Sequence, residues 1–461
     1  MAGSSRPSPR RRPDGPAGGP GRAPRAVRWW IIAGLAFCWL FPAAAQAQVK
    51  GLIVGPGAER YRLAVSPLKN LGTGGDVHRL SARTADVIAD DLDRSGWFRI
   101  IDRSAYIENP QRTGIRLGGF DFRDWATIGA EGLVKGGFRN QGNRVEFEFW
   151  LYDVFRQEPV IGKRYSGDIK DARRMAHKFV DEIILKLTGT RGVFDSRIAY
   201  VSTGGDRFKE IYVSHLDGTE KKKVTDNRTI NLFPSWSPDG KGLVYTSYKK
   251  GKPHFLSVDL EANREKPIST RDGLNLGGRW SPDGRSLVVP LEQRRNVDLY
   301  LLNAEGGMVK RLTRHRGIDV SPTWSPSGDH IAFASDRYGS PQIYILDLAS
   351  STIKKLTRKG SYNQSPDWSP TGERIAYTGR SNGVLNIFTI RPDGSELRML
   401  TSNRHNDEDP SWAPDGRFIA FASDRSGSRR IYTMRRDGES QRRLTGSTGD
   451  DTDPSWSPRL P

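Results

Sequence analysis

The sequence predicts an all-β six-bladed β-propeller in the C-terminal part of the chain, preceded by a small N-terminal α/β domain. Three observations predict it. Tryptophans at Trp236, Trp280, Trp324, Trp368, Trp412 and Trp456 recur at a constant 44-residue spacing, most of them inside the motif Trp-Ser-Pro-Asp-Gly or a near copy. A period in the low forties built from short strands is the signature of propeller blades. Each unit offers four short apolar stretches separated by turn residues, and the last tryptophan, in PSWSP at 454–458, has no further strands behind it.

The unit at 410–453 justifies each strand in turn. PSWAP is a short strand, DGR a turn, FIAFAS an alternating second strand, DRSGSR a loop, RIYTMRR a third strand, DGES a turn and QRRLT a fourth strand. In Ser-Pro-Asp-Gly the proline presets φ for the second turn position and glycine suits the fourth. The tryptophan is a large apolar body that fills space between twisted sheets. Second strands occur six times (RIAYVS at 197, GLVYTS at 242, SLVVPL at 286, HIAFAS at 330, RIAYTG at 374, FIAFAS at 418), and third strands place Tyr212, Leu256, Tyr300, Tyr344, Phe388 and Tyr432 at equivalent positions. The first unit starts at its second strand, so the orphan strand at the far end completes it. Closure of the ring removes the exposed edges of the array.

Strand parity separates two faces. The stereotyped Asp-Gly turns share one, while the second-to-third loops and the inter-blade loops share the other and rim the central channel. Several residues of these loops are acidic in a basic chain: Asp319, Asp407, Glu408, Asp409, Asp450, Asp451 and Asp453. A ring of oxygen ligands suits a basic segment of a partner or a hard cation such as Ca²⁺; no other cofactor is expected.

Residues 1–47 read as a signal peptide. Seven arginines precede the apolar run Trp29–Phe41, which is too short to span a bilayer, and Ala45-Gln46-Ala47 supplies small residues for cleavage before Gln48. A single membrane anchor is the alternative. Removing this leader takes away Cys38, the one cysteine of the chain, and leaves 65 basic against 52 acidic residues, a net charge of +13. The remaining chain has no thiol for a disulfide or a thiolate site. An exported basic chain meets anionic envelope surfaces, and no nucleic-acid partner is expected.

Residues 48–190 form the α/β domain and 191–461 the propeller. YRLAVSPL (61–68) reads as a strand, 81–96 as an amphipathic helix ending at Gly96, WFRIID as a strand, 131–155 as two strands round a hairpin, EPVIGKRYSG as a further strand, and 171–189 as a helix ending at Gly189. His78 and His177 are expected on its surface.

Enzyme motifs are missing. There is no His-Glu-x-x-His spacing and no Gly-x-Ser-x-Gly elbow of the hydrolases that carry propellers, and LGTGGD (71–76) lacks the Lys-Ser/Thr end of a phosphate loop. A propeller enzyme or carbohydrate-binding module using the channel is the alternative to a binding scaffold.

The ordered set of leader, α/β domain, junction LTGTRGVFDSRIAYV (Leu187–Val201), Trp-Ser-Pro-Asp-Gly repeats and terminal PSWSP resembles the TolB family of the Tol-Pal system over essentially the whole chain after residue 47. The resemblance implies a non-catalytic periplasmic protein. It would bind the lipoprotein Pal and the inner-membrane protein TolA, maintain outer-membrane integrity and support invagination at cell division. It places Pal over the channel-rimming face, at Leu274, Asn275, Gly277, Asp319 and Val320 with His405, Asn406, Asp407 and Glu408 on a neighbouring blade; Leu274 stands where the family carries His. It also places TolA on the extended segment Gln48–Gly55, through Val49, Lys50, Gly51, Leu52, Ile53 and Val54. The apolar centre of that segment suits strand addition to a partner sheet.

Overall fold

The computed structural model describes residues 60–460; the leader and the segment 48–55 lie outside the described residues. In the N-terminal domain the elements run β1 (Tyr61–Val65), β2 (Lys69–Asn70), α1 (Leu80–Arg94), β3 (Phe98–Ile100), α2 (Phe122–Thr127), β4 (Gly132–Gln141), β5 (Arg144–Asp153), β6 (Glu158–Asp168) and α3 (Ala172–Thr188). The sheet order is β3-β1-β4-β5-β6, with β2 beside β4. β1 is parallel to both β3 and β4, and the rest of that path is antiparallel. α1 buries Val87, Ile88 and Leu92, and α3 buries Met175, Phe179, Val180 and Ile183, against the sheet residues Leu63, Phe147 and Phe149. Gly189, at φ +73°, caps α3, a left-handed position that glycine takes without steric cost.

The propeller has six four-stranded sheets. Five are consecutive in sequence, from innermost strand outwards: Asn231–Trp236 to Arg264–Ser269, Arg279–Trp280 to Met308–Arg311, Asp319–Trp324 to Ile353–Lys355, Asn363–Trp368 to Arg398–Met399, and Asp407–Trp412 to Arg442–Arg443. These are the second to sixth blades. The first blade combines Arg197–Ser202, Glu210–His215 and Lys222–Lys223 with the last strand, Asp451–Trp456, as its innermost member. Trp456 lies opposite Ile198, and Asp451 opposite Ser202, so the two ends of the array share one antiparallel sheet.

The repeated motif works as a turn and a staple. In the second blade the Gly240 N–H donates to the Ser237 carbonyl at 2.9 Å, Ser237 Oγ donates to Asp239 at 2.6 Å, and Gly240 takes φ +69°. The indole N–H groups of Trp236, Trp324 and Trp412 donate to Ser455, Arg279 and Asp367, carbonyls of the preceding blade's innermost strand, at 3.0–3.1 Å. The ring thus fills the inter-sheet space while its polar edge pins neighbouring blades together.

One part of the blade differs from expectation. Apart from that of the third blade, the innermost strands begin three residues earlier than the sequence suggests, so Asp319, Val320, Asp407, Glu408, Asp409, Asp451 and Asp453 lie in strands rather than in loops. Proline reads as a strand end because it cannot donate to a ladder. Here Phe233, Ser321, Ser365, Asp409 and Asp453, each just before a proline, take φ between +49° and +56°, and the register shifts at each of them. The bulge carries the strand across the proline.

The N-terminal domain packs on the Asp-Gly-turn face, over the first and sixth blades. Phe194, Leu216, Phe418, Leu444 and Trp456 continue the core formed by α1, α3 and the sheet. The Arg417 guanidinium stacks 4.0 Å above Trp97 and Arg442 bonds Asp90 and Asp93 at 2.9 and 2.6 Å. His177 corrects the expectation of a surface position: it is 1% exposed at this junction. His78 is exposed.

Candidate functional site: the inter-blade loop face

The face opposite the N-terminal domain is built on one repeating position. Asn231, Asn275, Asp319, Asn363, Asp407 and Asp451 recur at 44-residue spacing and all are buried; all but Asn275 open the bulged strands, and Asn275 forms an isolated bridge with Leu291. Each ties down a neighbouring loop. Asn231 Nδ2 donates to the Lys209 carbonyl, Asn275 Nδ2 to the Arg271 and Pro253 carbonyls, and Asn363 Nδ2 to the Lys359 carbonyl, at 2.7–3.0 Å. Asp319 accepts from Arg337, Asp407 from Arg425 and Asn403, and Asp451 from Ser447, at 2.6–3.1 Å. Buried polar groups need such partners. Of the residues expected at the Pal contact, Asn275, Asp319 and Asp407 are therefore posts that shape the loops, with side chains turned away from solvent.

The others sit nearer the surface. His405 is exposed, its N–H donating to Asn403 at 2.7 Å. Asn406 bridges two blades: it donates to Asp424 at 2.9–3.0 Å and accepts from the Leu385 N–H at 3.1 Å. Leu274 is half-buried and its N–H donates to Glu292 at 3.1 Å. Gly277 lies against Phe233 so closely that a Cβ would come within 2.3 Å of it. Val320 lines the channel. Glu408 accepts from Arg429 at 3.1 Å; burial raises its pKa, and Asp409 adds to that while Arg429 opposes it.

The channel mouth holds a cavity of about 200 Å³ lined by Phe233, Gly277, Ser321, Ser365, Asp409 and Asp453, again one position of the repeat, with Arg279 alongside. Burial and the neighbouring Asp453 push Asp409 up to about 6, against a 2.7 Å bond from Ser365 Oγ. Burial likewise raises Asp453. Arginines engage Asp319, Asp407 and Glu408, three of the acidic groups around this rim. Among the described residues no group of three or more His, Cys, Asp or Glu is arranged to hold a metal ion.

Sequence reasoning missed Phe233, Ile318 and Tyr338 on this face, which are 40%, 48% and 78% exposed. Phe233 was accessible through the repeat itself, since it is the 44-residue equivalent of Gly277, Ser321 and Asp409. Ile318 and Tyr338 break the polar pattern of their loops.

Comparison with known proteins agrees with this architecture. Residues 184–460 match the TolB beta propeller domain family and residues 52–160 the TolB amino-terminal domain. The Tol-Pal system protein TolB of Desulfosudis oleivorans is 41% identical over 236 residues, 51% of this chain and 53% of the relative. That of Syntrophotalea carbinolica is 41% identical over 218 residues, 47% of this chain and 50% of the relative. The chain spans about half the length of the curated relatives it matches. The crystal structure of TolB from Acinetobacter baumannii superposes with a TM-score of 0.76 at 27% identity, covering 87% of this chain and 98% of that one. With one family matched along its propeller, a second along its N-terminal domain, and a solved structure aligned over both, the chain belongs to the TolB family of the Tol-Pal system.

Proposed function

We propose that the chain is a non-catalytic periplasmic scaffold of the Tol-Pal system that receives Pal on its inter-blade loop face and TolA on the segment 48–55. In this role it links the inner and outer membranes, maintains outer-membrane integrity and supports invagination at division. The observation that carries the reading is the placement of the N-terminal domain. That domain and its linker pack on the Asp-Gly-turn face of the first and sixth blades through Asp90, Asp93, Trp97 and Phe194, so none of these junction contacts falls on the rim. A ring whose inter-blade loop face carries none of these contacts offers a pre-organised surface, which lowers the ordering cost of association. Among the described residues no helix is long and apolar enough to cross a membrane.

Within this face the contact residues are His405, Asn406, Glu408, Leu274, Gly277 and Val320, with Asn275, Asp319 and Asp407 fixing the loops beneath. Titration calorimetry with the soluble part of Pal and with the periplasmic part of TolA tests the proposal. Saturable binding of both is expected, with loss of TolA alone when residues 48–55 are deleted. No heat with Pal, or TolA binding that survives the deletion, refutes the corresponding half.

A further inference from the structure

The second-to-third turn of the third blade departs from the rule its own repeat sets. Gln293 pairs with Asn296, leaving Arg294 and Arg295 as a two-residue hairpin loop at φ +53° and +65°. Such a loop is a type I′ turn, which favours Asn-Gly because both central residues need positive φ. At the equivalent place the fifth blade has Asn382–Gly383, and Gly251, Gly339 and Gly427 stand where Arg295 stands, all at positive φ. Only the third of these five blades puts two bulky cations there. Strain of this kind persists where the surroundings hold it and points toward function.

The turn is part of a larger patch. Asn296 Nδ2 donates to the His315 carbonyl at 2.7 Å, fastening the turn to the inter-blade loop that carries Arg314 and Arg316. The His315 ring lies 6.1 Å from that of Tyr338, the most exposed aromatic of this rim, and Ile318 follows in the same loop. Arg294, Arg295, Arg314 and Arg316 are exposed, and none forms an ion pair among the described residues. Nearby acids are occupied: Asp298 by Arg311 and Asp336 by the Ile318 N–H. The four guanidiniums are thus left without a paired carboxylate among the described residues. The cavity at the channel mouth has none of them in its lining.

We propose that this patch is a second docking area on the same face, beside the residues assigned to Pal, and that its partner is an anionic phospholipid surface. Four arginines on protruding turns suit a plane of phosphates, and Tyr338 and Ile318 supply the amphipathic and apolar side chains that settle at headgroup depth. The assignment is independent of Pal and TolA, since vesicles contain neither.

Co-flotation of the exported, purified protein with vesicles tests it. One set is pure phosphatidylcholine and one contains phosphatidylglycerol, each at low and high salt. Binding is expected only to the anionic vesicles and should fall as salt rises. Arg294→Asn/Arg295→Gly restores the turn preferred by the fifth blade, so it should raise the melting temperature while weakening vesicle partitioning by tenfold or more. Arg314→Gln/Arg316→Gln should weaken it similarly, whereas Lys354→Gln/Lys355→Gln, the same charge change on an outer strand, should not. Equal binding to both vesicle types, retention by either arginine variant, or equal loss in the lysine control overturns the proposal. So does a loss confined to Pal binding in the arginine variants, which would make the patch a protein contact.

Discussion

His177 on α3 holds its Nδ1 2.5 Å from Asp91 on α1 and its Nε2 3.3 Å from Asp217 in the third-to-fourth turn of the first blade. One imidazolium thus bridges the two long helices of the N-terminal domain and the propeller. Burial favours the neutral ring, but the two carboxylates outweigh it and push His177 up to about 10. Burial likewise opposes the Asp217 charge, yet its bonds from His177 and Thr219 hold it well below the usual carboxylate range. Arg173 also bonds Asp217, and the His215 ring stacks 6.1 Å from His177.

The sign of the pH dependence follows. The folded value lies above the unfolded one of about 6.5, so the stability this group contributes is complete below that pH and is lost as pH climbs toward about 10. Urea unfolding at pH 6 and pH 9.5 should show lower stability at the higher pH. His177→Ala strands the buried Asp91 without its partner, while Arg173 still holds Asp217, and should cost about 3–5 kcal/mol at pH 6. It should also flatten the pH slope.

Ring closure gives a second prediction. Trp456 is buried, its indole N–H donates to Ser196 Oγ at 2.8 Å, and its strand is the innermost of the first blade. Trp456→Ala should lose about 3–5 kcal/mol, as large core truncations do. Truncation before Asp451 should replace the single unfolding transition by a broad one in calorimetry.

Two residues of the loop face should behave oppositely. Asp319 is fully buried against Arg337, so Asp319→Ala leaves an unpaired guanidinium and should cost about 3–5 kcal/mol. His405 is exposed, and His405→Ala should change stability by less than about 0.5 kcal/mol. Thermal melts separate them before any binding assay is interpreted.

The bulge supplies a fourth test. Ser321 sits at φ +51°, a conformation that costs a non-glycine residue about 1 kcal/mol. Ser321→Gly should hold or raise the melting temperature, while the β-branched Ser321→Val should lower it.

Much of this architecture was legible because the repeat is regular. Tryptophan spacing, alternating second strands and the orphan strand specify the six blades and their closure, and helix-ending Gly189 lies where α3 stops. The bulge was not legible, because Pro322 or Pro410 marks a strand end unless the preceding residue is left-handed, and nothing in Ser321 or Asp409 announces that. Nor were the posts: Asn and Asp default to the surface, so the burial of Asn275, Asp319 and Asp407 depends on partners such as Arg337 that only the fold brings near. The same reason hid His177, and Lys135, which lies in the apolar run of β4 and is buried against Glu108. Strand parity separates the two faces of the ring, whereas which residues of the rim are exposed and which are buried posts depends on the partners the fold supplies.

Site-specific photo-crosslinking tests the central claim, that the inter-blade loop face of a closed ring is the recognition surface. A photoreactive residue is placed at His405 on that face or at Lys241, an exposed residue beside a turn of the opposite face, and the protein is mixed with Pal. The account expects a crosslinked product from position 405 and none from 241. Crosslinking from 241 with none from 405 would contradict it.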